Sequence, residues 1–210
     1  MVEVYTERLR NVRLGVYAWR RSLPIAGKLG LALTFAVLAG LLAQIKVPLP
    51  FSPVPITGQT FAALAAGVLL GRAFGGVSMA IYVTLGAAGI PWFNGGAGGP
   101  AAVFGPTGGY LIGFVVAALI IGYVTDRYPA TRSYKNLFGL MLAVNFLVIH
   151  GLGLVWLGVW LGLIKGSAIT LPALLMMGSV PFIVGDVVKA ALAAAMGKTA
   201  LPRGNHLNAA

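Results

Sequence analysis

Apolar runs alternate with short polar or glycine- and proline-rich breaks along the whole chain. The first run, IAGKLGLALTFAVLAGLLAQI at 25–45, has the length a helix needs to cross a hydrocarbon core of about 30 Å. The proline-rich KVPLPFSPVPITG follows and predicts an extended or turning loop. QTFAALAAGVLLG at 59–71 reaches only about 20 Å as a helix, so it ends within protein or its loop dips into the membrane. Further spans are predicted at 75–90 (GGVSMAIYVTLGAAGI) and 110–125 (YLIGFVVAALIIGYVT), separated by the glycine-rich PWFNGGAGGPAAVFGPTGG. After DRYPATRSYK comes a longer apolar stretch, 136–164, where Gly151 and Gly153 predict a break or tilt. KGSAITLPALLMMG reads as a loop with an interfacial piece. The last span, 179–197, starts from Ser179 as N-cap with Pro181 in the first turn, a start near Leu171 being the alternative.

Composition agrees. The 210 residues are 59% hydrophobic and 9% charged, against about a quarter charged in soluble domains. The expectation is an all-α integral membrane protein of six transmembrane helices. It divides into a basic segment at 1–24, a membrane domain at 25–197 and a tail at 198–210. Spans along the full length argue against a signal peptide followed by a soluble domain. The chain has no cysteine, which excludes disulfides and thiol chemistry.

The charge order sets the orientation. Six spans put both termini on one side, with Arg8, Arg10, Arg13, Arg20, Arg21, Lys28, Arg72, Arg127, Arg132, Lys135, Lys198 and Arg203. The other side receives Lys46 and Lys165. Basic residues favour the cytoplasmic side, so both termini are expected in the cytoplasm of a cell-membrane protein. The net charge of +11 then needs no nucleic acid.

Asp186 and Lys189 stand out in the last span. They share a helix face at i, i+3 and fall in the outer half of the membrane. A charge near a helix centre costs on the order of 2.5–3.5 kcal/mol, and such residues usually mark functional sites. An internal ion pair is the plain alternative to a polar clamp facing a cavity. Asn94 lies in the long outer loop with Trp92 and Phe93, and its amide both donates and accepts; a turn asparagine before Gly95 and Gly96 is the plain reading. Gln59 opens the short second span on the same side, and Tyr82, Trp92 and Phe93 are candidate walls. His150 and Asn145 in NFLVIHGLG suit interhelical hydrogen bonds better than a metal site, so no metal is expected.

MGKTA at 196–200 is half a phosphate-binding loop, with Leu192 where glycine is required, so the chain carries no ATP site of that type. HExxH and GxSxG are absent, and no nucleophile or metal cluster accompanies the charged pair, which argues against an enzyme, including an intramembrane enzyme acting on lipid with Asp186 and Lys189 as acid and base. On the first span Ala32, Ala36 and Gly40 form a small-residue stripe, for packing within this chain or against a partner helix.

Several of these segments together resemble one family. VPLPFSPVPITGQTFAALAAGVLLG, GAAGIPWFNGGAGG, FGPTGGYLIGF and PFIVGDVVKA are similar, in this order, to BioY, the biotin-specific S-component of energy-coupling-factor (ECF) transporters. The resemblance covers about residues 25–197. It implies an S-component-like bundle that captures biotin from outside, and no cofactor. It implies as partners a transmembrane coupling protein and two cytoplasmic ATPases, met through the A-x-x-x-A motif that Ala32 and Ala36 match. It places ligand contacts at Asn94, Asp186 and Lys189, and at Gln59. The basic N-terminal segment lies outside the pattern. The competing readings are a self-sufficient secondary transporter of a small organic solute with Asp186 as its coupling site, and a structural subunit without ligand.

Overall fold

Gly71 reverses the chain. The structure, a computed structural model, describes residues 2–166 and 169–202. It contains five helical stretches long and apolar enough to cross a membrane: Ile25–Gln44, Gln59–Ala87, Gly108–Arg127, Tyr134–Ile164 and Leu171–Ala200. The second of these, α3 (Gln59–Ala87), is no straight rod. After α1 (Val2–Ser22) and α2 (Ile25–Gln44), α3 runs to Gly71, whose φ of 77° and ψ of −177° suit glycine alone, and folds back on itself. Gly75 then lies against Ala66 and Gly67 of the first arm, where a Cβ would clash with backbone. The expected short spans at 59–71 and 75–90 are these two arms.

The remaining helices are α4 (Pro100–Val103), α5 (Gly108–Arg127), α6 (Tyr134–Val144), α7 (Gly151–Lys165), α8 (Leu171–Gly178) and α9 (Ile183–Ala200). The irregularity expected at Gly151 and Gly153 falls one turn earlier: Asn145–His150 is a π-helical segment joining α6 to α7. The approach to the last span is itself helical, α8, followed by a 3-10 turn at Val180–Phe182. Helix α9 continues to Ala200, three residues into the expected tail, of which residues 203–210 lie outside the described residues.

Two expectations change. The proline-rich loop is a β-hairpin, β1 (Lys46–Leu49) against β2 (Ser52–Thr57) in antiparallel register Lys46 to Thr57, so the fold is helical but not wholly α. Prolines suit it because a two-stranded ribbon has only edges. The small-residue stripe points inward: Ala32 and Ala36 are 0% exposed, α2 packs mainly on α3, and Gly40 lies against the Trp92 ring. The expected partner interface at Ala32, Ala36 and Gly40 is therefore internal packing in this structure. Leu29, Leu33, Val37 and Leu41 form the exposed face of α2 instead.

The N-terminal segment is docked. Tyr17 of α1 is buried beneath the guanidinium groups of Arg20, Arg21 and Arg132. Arg20 Nη1 donates to Leu69 O at 2.5 Å, and its Nη2 lies 3.6 Å from Asp126 Oδ1. Asp126 Oδ2 accepts the backbone N–H of Arg72, which fastens the α3 turn to the end of α5. Arg132, fully buried, donates to the carbonyls of Thr125 and Pro202. These contacts gather the end of α1, the turn of α3, the end of α5 and the end of α9 at one basic end of the bundle.

Candidate functional site

The opposite half of the bundle holds the charged pair. The 3-10 turn at Val180–Phe182 leads into α9 and sets Asp186 in its first turn, 1% exposed. Its Oδ1 accepts from Lys189 Nζ at 2.8 Å. Its Oδ2 takes Asn145 Nδ2 at 2.9 Å and His150 Nε2 at 2.7 Å. Three partners on one carboxylate offset the cost of burying it, as an isolated charge there would not be tolerated.

The π segment explains how two residues of one helix serve one oxygen. In an α-helix, positions five apart are rotated by about 140°. Bonding from i to i+5 brings Asn145 and His150 onto one face. His150 Nδ1 lies 3.2 Å from Gly178 O, the carbonyl that also accepts Tyr110 Oη at 2.7 Å. Gly113 of α5 packs against the backbone of Ile149, which brings this irregular stretch close to α5.

A cleft opens over this cluster, enclosing about 500 Å³ of space that is partly open to solvent. Gln59, Asn94, Asp186 and Lys189 all border it, so four expected site residues come together from three separate parts of the chain. His150, Thr60, Thr107, Tyr110, Phe114 and Phe182 complete much of the wall, and Val54, Pro55 and Thr57 of β2 close one side. The hairpin is held there by Ser52 Oγ donating to Met177 O at 2.6 Å, across 125 residues.

Tyr82, Trp92 and Phe93, expected as walls, do not border the cleft and stand behind Gln59. Gln59 Nε2 donates to Tyr82 Oη at 2.6 Å, and Thr57 Oγ1 donates to Gln59 Oε1 at 2.6 Å. Tyr82 packs edge-on against Phe93, and Trp92 Nε1 donates to Tyr82 O at 3.0 Å. Phe93 fills the space left by Gly86, and Gln44 Nε2 holds the carbonyls of Trp92 and Phe93, so the aromatics are drawn away from the opening. Tyr110, Phe114 and Phe182 are the rings that face it.

Sequence reasoning weighed Asn145 and His150 as interhelical hydrogen bonds against a metal site and did not join them to Asp186, whose Oδ2 they both meet. The signal was their position in an apolar run, the same signal that exposed Asp186. Among the described residues no three or more of His, Cys, Asp and Glu stand together as a metal set.

A bundle of helices long and apolar enough to cross a membrane, around one paired, buried carboxylate beneath a small cleft, defines a multi-pass membrane protein. It has the fold of a solved protein, the S-component for biotin from an ECF-type ABC transporter. The TM-score is 0.72 and the identity 26%, over 82% of this chain and 89% of that one. The BioY family model matches residues 15–205, and the chain belongs to the BioY family. It is 47% identical over 141 residues to a probable biotin transporter BioY of Methanothermobacter thermautotrophicus, covering 66% of this chain and 88% of that protein. It is 40% identical over 168 residues to one from Pyrococcus horikoshii, with 80% and 92% covered. The biotin transporter BioY of Rhizobium etli is 33% identical over 179 residues, with 81% and 90% covered. As in this transporter family, the chain is a multi-pass protein of the cell membrane.

Proposed function

We propose that this chain is the biotin-binding S-component of an ATP-driven ECF importer, which captures biotin outside the cell and delivers it to the cytoplasm. The observation that carries the reading is the Asp186 cluster opening on a cleft shared with Asn94 and Gln59, in a BioY-family bundle. Biotin's ureido ring offers N–H donors and one carbonyl. Asp186 is the acceptor for an N–H, Lys189 and Asn94 are donors for the carbonyl, and Gln59 at the hairpin side is a donor for the valerate carboxylate. Tyr110, Phe114 and Phe182 cover the apolar parts of the ligand. Charge-assisted hydrogen bonds in a cleft from which the bound ligand displaces water make a strong and selective clamp.

Counting the two arms of α3 separately makes six crossings, and the excess of cations at the basic end supports a cytoplasmic placement of that end and of both termini. The cleft then faces outside. The chain has no phosphate loop, so uphill uptake draws its energy from partners: a transmembrane coupling protein and two cytoplasmic ATPases.

Calorimetry on the purified protein in detergent tests the capture step, with riboflavin and thiamine as controls. Saturable one-site biotin binding that Asp186→Asn weakens is the expected result. Absence of binding in a folded sample overturns the assignment. Uptake that persists without the ATPases and collapses with an ionophore would instead favour the secondary transporter.

A further inference from the structure

The basic end carries a second recess, unconnected with the cleft at Asp186. It lies between the last turns of α1, the start of α2 and the turn of α3. Arg20, Arg21, Lys28 and Asp126 line it, above Leu31 and Leu70, and it encloses about 720 Å³ of space partly open to solvent. Asp126 is already committed to the Arg72 N–H and to Arg20. Arg20 is committed to Leu69 O and Asp126, so its charge is largely answered within the chain. Arg21 and Lys28 have no ion-pair partner among the described residues; Arg21 lies only over the Tyr17 ring, at 5.8 Å.

An apolar recess of about 560 Å³ adjoins it and shares Arg20, Leu31 and Leu70. Val16, Trp19, Phe35 and Leu69 are among its walls. Two chemistries are thus joined end to end: cations with unspent charge, then a hydrocarbon slot running down the start of α2. Val12, Val16 and Trp19 of α1 are exposed at i, i+4 and i+7, an apolar stripe suited to the membrane interface that is continuous with the recess, which Val16 and Trp19 border. The recess therefore sits at head-group depth.

We propose that this composite recess binds one anionic glycerophospholipid of the cytoplasmic leaflet. Its phosphate meets Arg21 and Lys28, and one acyl chain lies along Leu31, Phe35, Leu69 and Trp19. The fit is one of charge and of shape. A free phosphate would leave the apolar slot empty, and a zwitterionic lipid would bring its ammonium beside Arg21 and Lys28. Only the leaflet rests on the cytoplasmic placement of the termini; the site itself does not. The lipid fills the gap between α1 and the bundle and so fixes the N-terminal helix.

Native mass spectrometry and thermal unfolding of the delipidated full-length protein test this with dioleoylphosphatidylglycerol, dioleoylphosphatidylcholine and inorganic phosphate as separate probes. The glycerol lipid should bind one to one and raise the Tm, and the other two should not. In Arg21→Gln with Lys28→Gln its dissociation constant should rise by about fivefold for each cation removed. Biotin affinity, read on the same samples, should stay unchanged and shows that the variant is folded. Equal binding of the two lipids, an unaltered constant in the double variant, or the same Tm shift with phosphate alone overturns the proposal. So does a variant that keeps its lipid constant but loses assembly with co-expressed ECF subunits, which would make the recess a protein contact.

Discussion

His150 Nε2 lies 2.7 Å from Asp186 Oδ2, although 36 residues and two helix breaks separate them. The contact ties the π segment to the first turn of α9 and leaves the buried carboxylate with a donor besides Lys189 and Asn145. The cleft is therefore built on a network, and removing its parts should have graded effects.

Asp186→Asn removes the charge and leaves Lys189 partly buried beside a neutral amide. Biotin affinity should fall by about 1.5–3 kcal/mol, roughly 10- to 150-fold, by the worth of hydrogen bonds to charged groups. Calorimetry gives the number, and a normal elution profile in detergent shows that the protein is intact. Retained affinity would mean that the carboxylate serves only the interior.

His150→Phe keeps the ring's bulk but withdraws one of three donors. Affinity should weaken by about 1–2 kcal/mol, less than in Asp186→Asn, because Lys189 and Asn145 still hold the carboxylate. An effect larger than that of Asp186→Asn, measured in the same calorimeter, would place the histidine on the ligand itself.

Tyr82→Phe tests the aromatic group behind the cleft. The variant leaves Gln59 Nε2 without its acceptor inside a buried region. Thermal unfolding should show a loss of about 1–3 kcal/mol, and biotin affinity should drop modestly as Gln59 loses its fixed orientation. Unchanged stability with a large loss of affinity would return Tyr82 to the cleft wall.

Ala36→Leu addresses the small-residue stripe. With Ala36 fully buried, the added methylenes press on α3 and should cost the isolated protein about 1–3 kcal/mol in unfolding experiments. A variant of undiminished stability that loses only ATP-coupled uptake would show that the stripe meets a partner after all.

Gly122 lies directly on the Gly71–Arg72 backbone, where a Cβ has no room. Gly122→Val should force apart the turn of α3 and α5 and lower the Tm more than Gly139→Val, whose site has open space around it. Equal Tm values would mean that the reversal at Gly71 does not depend on this packing.

Much of this architecture was legible in the chain because a membrane protein displays its exceptions. Long apolar runs gave most of the spans within a few residues, the last one beginning instead at the alternative start, Leu171, and the one carboxylate set inside such a run led to Asp186. The length of 59–71, too short to cross alone, already pointed to an unusual connection, and Gly71 supplies it. What stayed hidden depends on contacts distant in sequence. Strand propensity disfavours proline, so nothing local in KVPLPFSPVPITG announces a hairpin. The π segment arises where Gly113 lets α5 close on Ile149, a fact no window around residue 149 contains. The direction of the α2 stripe was equally unreadable, since small residues mark a close neighbour without saying whose helix it is. Trp92 and Phe93 were misplaced because a glycine seven residues before a ring, Gly86, gave no hint that it would receive Phe93.

Helix α9 begins at the cleft and finishes two residues before the Pro202 carbonyl that Arg132 grips, at the far end of the molecule. At about 1.5 Å per residue its 18 residues span about 27 Å. The helix is thus a strut pinned at both tips, with a carboxylate latch at one and a guanidinium latch at the other. One unbroken helix joins the carboxylate network at one end of the bundle to the arginine network at the other.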